Sequence, residues 1–190
     1  MANSMHVLGI AGSLRAGSYN KALLRAAAEL VPEGMTLEIF DIAAIPLYNE
    51  DVELAGYPAS VKAFRERIAA ADALLIATPE YNYSIPGVLK NAIDWASRPP
   101  DPPLGKKPVA IMGASTGGFG TVRCQYHLRQ VFVGTNMRPI QKPEVMVALA
   151  QDKIDAAGRL TDKKTREAVR GLLEALAAWV EQLRSTRPTT

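Results

Sequence analysis

Cysteine is nearly missing from this chain of 190 residues, where Cys124 stands alone. That excludes an intrachain disulfide and any zinc framework built on paired cysteines. The two histidines, His6 and His127, are too few for a metal cluster, so no metal site is expected. Long apolar runs are missing too. The densest stretch, Ala73-Leu74-Leu75-Ile76-Ala77, falls far short of the roughly 20 residues that span a bilayer. The opening Met1-Ala2-Asn3-Ser4-Met5 has neither the charged start nor the apolar segment of a leader. The expectation is a soluble cytoplasmic protein with no membrane partner.

What is present is an ordinary globular composition, 48% hydrophobic and 22% charged. The length suits one domain over residues 1–190, able to bury roughly 70% of the surface of its unfolded chain. The net charge of +3 hides a division. Residues 29–94 carry four basic and eleven acidic side chains, whereas residues 98–142 carry seven basic ones against Asp101 alone. Such asymmetry fits an anionic ligand, complementary faces in an oligomer, or simply an uneven solvated surface. The basic residues are scattered and lack interleaved aromatics, so nucleic acid is not expected as a partner.

Apolar runs alternate with helical periodicity along the chain. Strands are predicted at 6–11, 36–41, 73–78, 108–114 and 144–148, several of them apolar throughout, as in sheets covered on both faces. Helices are predicted at 20–30, 60–71, 86–97, 122–134 and 162–184. Val169, Leu172, Leu173, Leu176, Val180 and Leu183 keep the spacing of one helical face in the last of these, with Thr161 as its expected N-cap. Strict alternation implies an α/β fold with a doubly wound, five-stranded parallel sheet and helices on both faces. The expected strand order is the flavodoxin-like 2-1-3-4-5, with ligands bound at the carboxyl ends of the strands. The proline-rich 98–103 segment is read as a stiff loop, since core strands flank it on both sides.

Three loops then open at one sheet edge. The first runs Gly12-Ser13-Leu14-Arg15-Ala16-Gly17-Ser18-Tyr19-Asn20 between a strand and a helix. Backbone N–H groups at a helix start favour an anion there, and Ser13, Ser18, Asn20 and Arg15 add donors. The glycine spacing imitates a nucleoside-triphosphate loop, but Ser18-Tyr19 stands where Lys-Ser/Thr is required. The dinucleotide pattern Gly-x-Gly-x-x-Gly is not matched either. The second loop, Thr78-Pro79-Glu80-Tyr81-Asn82-Tyr83-Ser84-Ile85-Pro86-Gly87, is stiffened by two prolines and suits a flat heterocycle, though plain packing would explain it too. The third, Ala114-Ser115-Thr116-Gly117-Gly118-Phe119-Gly120, is small enough for close approach to backbone, or is simply a flexible turn.

Together, Gly12-Ser13-Leu14-Arg15 with Ser18 and Asn20, Pro79-Glu80-Tyr81-Asn82 with Ser84, Pro86-Gly87, Leu89-Lys90-Asn91 and Asp94-Trp95 resemble the NADPH-dependent FMN reductase family. The likeness is strongest to its bacterial branch that reduces quinones, chromate and azo dyes. The resemblance implies noncovalent FMN, with NADPH or NADH as hydride donor. It places Ser13, Arg15, Ser18, Tyr19 and Asn20 at the phosphate and Pro79, Glu80, Tyr81 and Asn82 along the isoalloxazine. Ser115, Gly117 and Gly118 would close the other side. It also implies ping-pong transfer of electrons to quinones, free flavin, azo compounds or chromate, and assembly as a homodimer or homotetramer. Tyr83, Arg123 and Glu144 are expected at that interface, with an Arg123–Glu144 bond between subunits or within one chain.

Hydride chemistry belongs to the cofactor, so no catalytic acid or base is named. His127 is placed on the fourth helix away from the loops, in a structural role, and Cys124 is read as a small buried residue. The alternative is a flavodoxin-like electron carrier without its own NAD(P)H reaction. Its Thr-rich phosphate loop and acidic surface do not match Ser13-Leu14-Arg15 and a charge of +3. A phosphorylated receiver domain would need acidic residues where Ala11-Gly12-Ser13 stands.

Overall fold

The computed structural model describes residues 4–186; Met1, Ala2 and Asn3 of the opening segment considered above lie outside the described residues. The chain runs β1 (Met5–Ala11), α1 (Tyr19–Glu29), β2 (Met35–Phe40), α2 (Glu50–Leu54), α3 (Ala59–Ala70), β3 (Ala73–Ala77) and α4 (Gly87–Ala96). It continues with β4 (Pro108–Ala114), α5 (Val122–Gly134), β5 (Arg138–Pro139), β6 (Val145–Val147) and α6 (Lys163–Ser185).

All strand pairs are parallel, in the order β2-β1-β3-β4-β5, as expected. The edge differs from the expectation of five strands. Two short segments share the last position, Arg138–Pro139 beside the start of β4 and Val145–Val147 beside its end. Pro139 and Pro143 have no N–H to donate, so one continuous ladder cannot run along this edge.

Residues of the central strands alternate between two apolar cores. Val7, Leu75, Ala110 and Met112 point toward α1 and α6, while Leu8, Leu74, Ile76 and Ile111 point toward α3, α4 and α5. The period of two and burial on both faces explain why these strands read as unbroken apolar runs.

Helix boundaries follow side-chain caps. Ser18 caps α1, accepting from the Lys21 N–H at 3.3 Å. Asp41, expected to end a strand, instead accepts from Ala43 N–H and opens a short 3-10 turn. Asn49 likewise caps α2, a helix not foreseen. At α6 the cap is Asp162 rather than Thr161. Its carboxylate takes the N–H and the hydroxyl of Thr165, bonds that hold its pKa below the usual aspartate value against the opposing effect of burial. The Thr161 hydroxyl donates to the Lys153 carbonyl instead.

Candidate functional site

The carboxyl ends of β1, β3 and β4 lie side by side, so the loops that follow them meet at one edge. Gly12 continues β1 by donating to the Ala77 carbonyl, and Thr78 continues β3 by donating to that of Met112. The loops leave the sheet only beyond these bonds. Gly113 shows how tightly they converge. A methyl group built on it would stand 2.0 Å from Thr121 Oγ1 and 2.5 Å from the Thr78 carbonyl.

Between the loops lies an open cavity of about 180 Å³, and nine of the twelve expected cofactor residues line it. They are Ser13, Arg15, Ser18, Tyr19 and Asn20 from the first loop, Pro79, Glu80 and Tyr81 from the second, and Ser115 from the third. Asn82, Gly117 and Gly118 do not line it, whereas Ala114 and Thr116, which the sequence did not single out, do. A neighbouring hollow of about 350 Å³ shares Ser18 and Tyr19 but lies against α1 and the segment after β6, away from the second loop.

In the first loop, Ser18 N–H closes a turn onto the Arg15 carbonyl. The N–H groups of Ser13, Leu14, Tyr19 and Asn20 find no acceptor among the described residues. They stand at the start of α1, where the helix dipole adds positive potential. Arg15 is exposed, donates one N–H to the Gly17 carbonyl at 2.7 Å, and lies 5.8 Å from the Tyr19 ring centre. Asn20 is otherwise engaged. Its side-chain amide donates to the Ala114 carbonyl and accepts from the Ala114 N–H, both at 2.9 Å, and the residue is 3% exposed. That pairing makes it a strut between α1 and the end of β4.

The second loop is a tight hairpin. Tyr81 and Ser84 exchange both backbone hydrogen bonds, and Asn82 and Tyr83 between them have φ of 49° and 66°. Two consecutive positive φ values are those of a type I′ turn. Asparagine tolerates this conformation, but for tyrosine it is strained. The turn leaves the rings of Tyr81 and Tyr83 exposed.

The third loop is fixed from below, with Ser115 N–H on the Val147 carbonyl and Leu149 N–H on that of Gly117. It ends at Gly120, with φ of 54°, where a methyl group would sit 2.7 Å from the Met146 carbonyl carbon.

The contacts around α5 bear on three expectations. Glu80 lines the cavity, but its carboxylate is turned to the helix. It accepts from Arg123 N–H at 3.0 Å, Cys124 N–H at 3.2 Å and Arg123 Nε at 2.5 Å. Within the chain, Arg123 therefore pairs with Glu80, and Glu144 pairs with Lys142 at 2.5 Å, so the two are not bonded to each other. His127 is not remote from the loops, since its Nδ1 lies 3.1 Å from Ser84 Oγ. The signal was available: α5 follows the third loop directly, so its first turns must stand at the site edge. Cys124 is buried against the Thr78 hydroxyl; burial, aided by the Glu80 charge, pushes its pKa up to about 11, although the Thr78 hydrogen bond opposes the shift. A neutral thiol is a poor nucleophile.

These features fit a phosphate-bearing flavin. Unpaired N–H groups and an exposed guanidinium could meet a phosphate, and an aromatic hairpin and a glycine-rich loop flank the cavity where a flat ring would lie. Among the described residues no group of three or more His, Cys, Asp or Glu could hold a metal ion, and no helix is long and apolar enough to cross a membrane.

Comparison with known proteins follows the same line. A family model for NADPH-dependent FMN reductases matches residues 5–152. An NAD(P)H-dependent FMN reductase of Pseudomonas aeruginosa is 60% identical over 184 residues, covering 97% of this chain and 100% of its own. A quinone reductase of Escherichia coli is 43% identical over 187 residues, covering 97% and 100%. Among solved structures, the NAD(P)H:acceptor oxidoreductase FerB of Paracoccus denitrificans superposes with a TM-score of 0.85 at 34% identity, covering 94% of this chain and 98% of its own.

Proposed function

The chain belongs to the NADPH-dependent FMN reductase family and is an FMN-dependent NAD(P)H oxidoreductase, and we propose that it delivers the electrons to quinones at the cavity between the three loops. The observation that carries the siting is the convergence of a phosphate-type helix start and a rigid aromatic hairpin on one cavity. Quinones are the acceptor class favoured by the likeness to the bacterial quinone reductase. Free flavin, azo compounds and chromate are further acceptors that such an open site would admit.

When bound, FMN would supply the two-electron hydride chemistry that links NADPH or NADH to the acceptor. The protein's part is to bind and orient. In this reading the N–H groups at the start of α1, with Ser13, Ser18 and Arg15, hold the phosphate. Pro79 and Tyr81 border one side of the ring and Ser115 the other, while Asn82, Gly117 and Gly118, which do not line the cavity, shape the loops that do. Asn20 and Glu80 fix the loops. The same shallow cavity would serve donor and acceptor in turn, since the exposed Tyr81 and Tyr83 leave its rim open. The electron-carrier alternative is not favoured, because the relatives matched over 97% of the chain are an NAD(P)H-dependent FMN reductase and a quinone reductase.

A homodimer or homotetramer is part of the proposal, with Tyr83, Arg123 and Glu144 at the contact. The exposed rings of Tyr83 and Phe119 around Arg123 support it, and light scattering that reads a monomer would remove it. A cytoplasmic location, where NAD(P)H is supplied, belongs to the same reading. The deciding experiment is simple. The purified protein should be yellow and release FMN on denaturation; NADPH should bleach it without oxygen, and a quinone should restore the colour. Colourless protein that takes up no added FMN would overturn the proposal.

A further inference from the structure

We infer that Glu80 is a positioning residue, which locks the flavin-facing hairpin to α5 and so sets the spacing of the second and third loops. The inference rests on the flavin reading above. A glutamate lining a cofactor cavity would ordinarily be taken as a ligand of that cofactor. Here the side chain is only 8% exposed, and both carboxylate oxygens are committed to α5. Oε1 accepts from Arg123 Nε, while Oε2 accepts the backbone N–H groups of Arg123 and Cys124.

The reason lies in how α5 begins. Thr121 occupies the N-cap position with φ of 73°, and no side-chain cap bond is made there. Its hydroxyl takes the Gln125 side-chain amide instead. The Val122 N–H donates to the Phe119 carbonyl, but those of Arg123 and Cys124 would go without an acceptor if Glu80 did not supply one from more than 40 residues away. A carboxylate at this end also meets the positive pole of the helix.

The same contact holds the hairpin. The Arg123 guanidinium, steadied by Glu80, lies 3.8 Å from the Tyr83 ring centre and 4.8 Å from that of Phe119. One ring belongs to the second loop and the other to the third. One turn along α5, His127 reaches Ser84. The strained φ of Tyr83 is thus held by fastenings at Glu80, Tyr83 and Ser84, all made to one helix. Strain of this kind persists only where the surroundings over-determine it. Without the Glu80 carboxylate, Arg123 loses its anchor and the two loops lose their common reference.

The test is to titrate FMN and riboflavin into flavin-stripped wild type, Glu80→Ala and Glu80→Gln. Glu80→Ala should weaken both flavins by the same factor, about tenfold or more, because the ring site is altered and the phosphate site is not. Amide hydrogen exchange at Arg123 and Cys124 should quicken in the same variant. Glu80→Gln, which keeps one carbonyl acceptor, should recover part of the affinity. It carries the comparison alone should Glu80→Ala fail to fold. A merely structural glutamate would lower the melting temperature and leave both affinities unchanged. Unchanged affinities, or loss of FMN alone, would overturn the inference. A wild type that takes up neither flavin would overturn the flavin reading itself, and this inference with it.

Discussion

Replacing Arg15 with alanine separates recognition of the phosphate from recognition of the ring. The guanidinium is exposed at the mouth of the cavity and spends one N–H on the Gly17 carbonyl at 2.7 Å. Its other N–H groups meet no acceptor among the described residues, so they are available to a phosphate. A hydrogen bond to a charged group is worth about 1.5–3 kcal/mol. Solvent screening of an exposed arginine pulls this toward about 1–2 kcal/mol, or roughly a 5- to 30-fold loss of FMN affinity. Riboflavin has the same ring without the phosphate, and its affinity should stay within about twofold of wild type on the same reasoning. Fluorescence titration of each flavin into the apo-protein measures both numbers. Equal loss of the two flavins would refute the assignment, because it would show Arg15 acting on the fold of the loop rather than on the phosphate. The contrast with Glu80 is direct: one variant should discriminate between the flavins and the other should not.

Two further predictions concern the frame around the site. Gly113→Ala places a methyl group 2.0 Å from Thr121 Oγ1 and 2.5 Å from the Thr78 carbonyl, so it should destabilise the protein by roughly 3 kcal/mol or more; an unchanged urea midpoint would contradict the geometry. The Cys124 thiol has its pKa raised by burial from 9.0 to about 11, so its contribution to stability is complete below pH 9 and lost as pH rises toward 11. That loss is about 2–3 kcal/mol, and Cys124→Ala should show a correspondingly shallower decline over the same range; identical slopes would refute it.

How far the sequence carries depends on the distance over which a residue acts. Strand runs such as Ala73–Ala77 and the α6 face from Val169 to Val180 are local patterns, and they are read without a partner in view. The cap at Ser18 is equally local, and so is the near miss at Thr161, where the neighbouring Asp162 takes the role. Asn20 and Glu80 are different. Nothing within ten residues of Asn20 shows that its amide will pair with Ala114, 94 positions away. Both stand in loops expected to hold the cofactor and both line the cavity, but that expectation gives no sign of the remote bonds that engage their side chains. The split of the last strand position was foreshadowed by Pro139 and Pro143, but a segment as short as Arg138–Pro139 carries too little periodicity to register.

The division has a physical origin. Where the cofactor supplies the reaction, the protein needs few acids, bases or nucleophiles, and residue types alone say little about roles. What the chain must supply is the distance between three loops, and each loop takes it from an element remote in sequence. Asn20 ties the first to β4, Glu80 ties the second to α5, and the N–H groups of Leu149 and Ala150 tie the third to the segment after β6. The Asn20, Glu80 and Ala150 ties use buried or half-buried groups whose loss would leave a partner unsatisfied, at a cost of about 1–3 kcal/mol each. That cost makes the loops rigid before any ligand arrives, so little binding energy is spent on ordering them. The exposed rings of Tyr81 and Tyr83 stand beyond the ties, where the site can be rigid at its base and open at its rim.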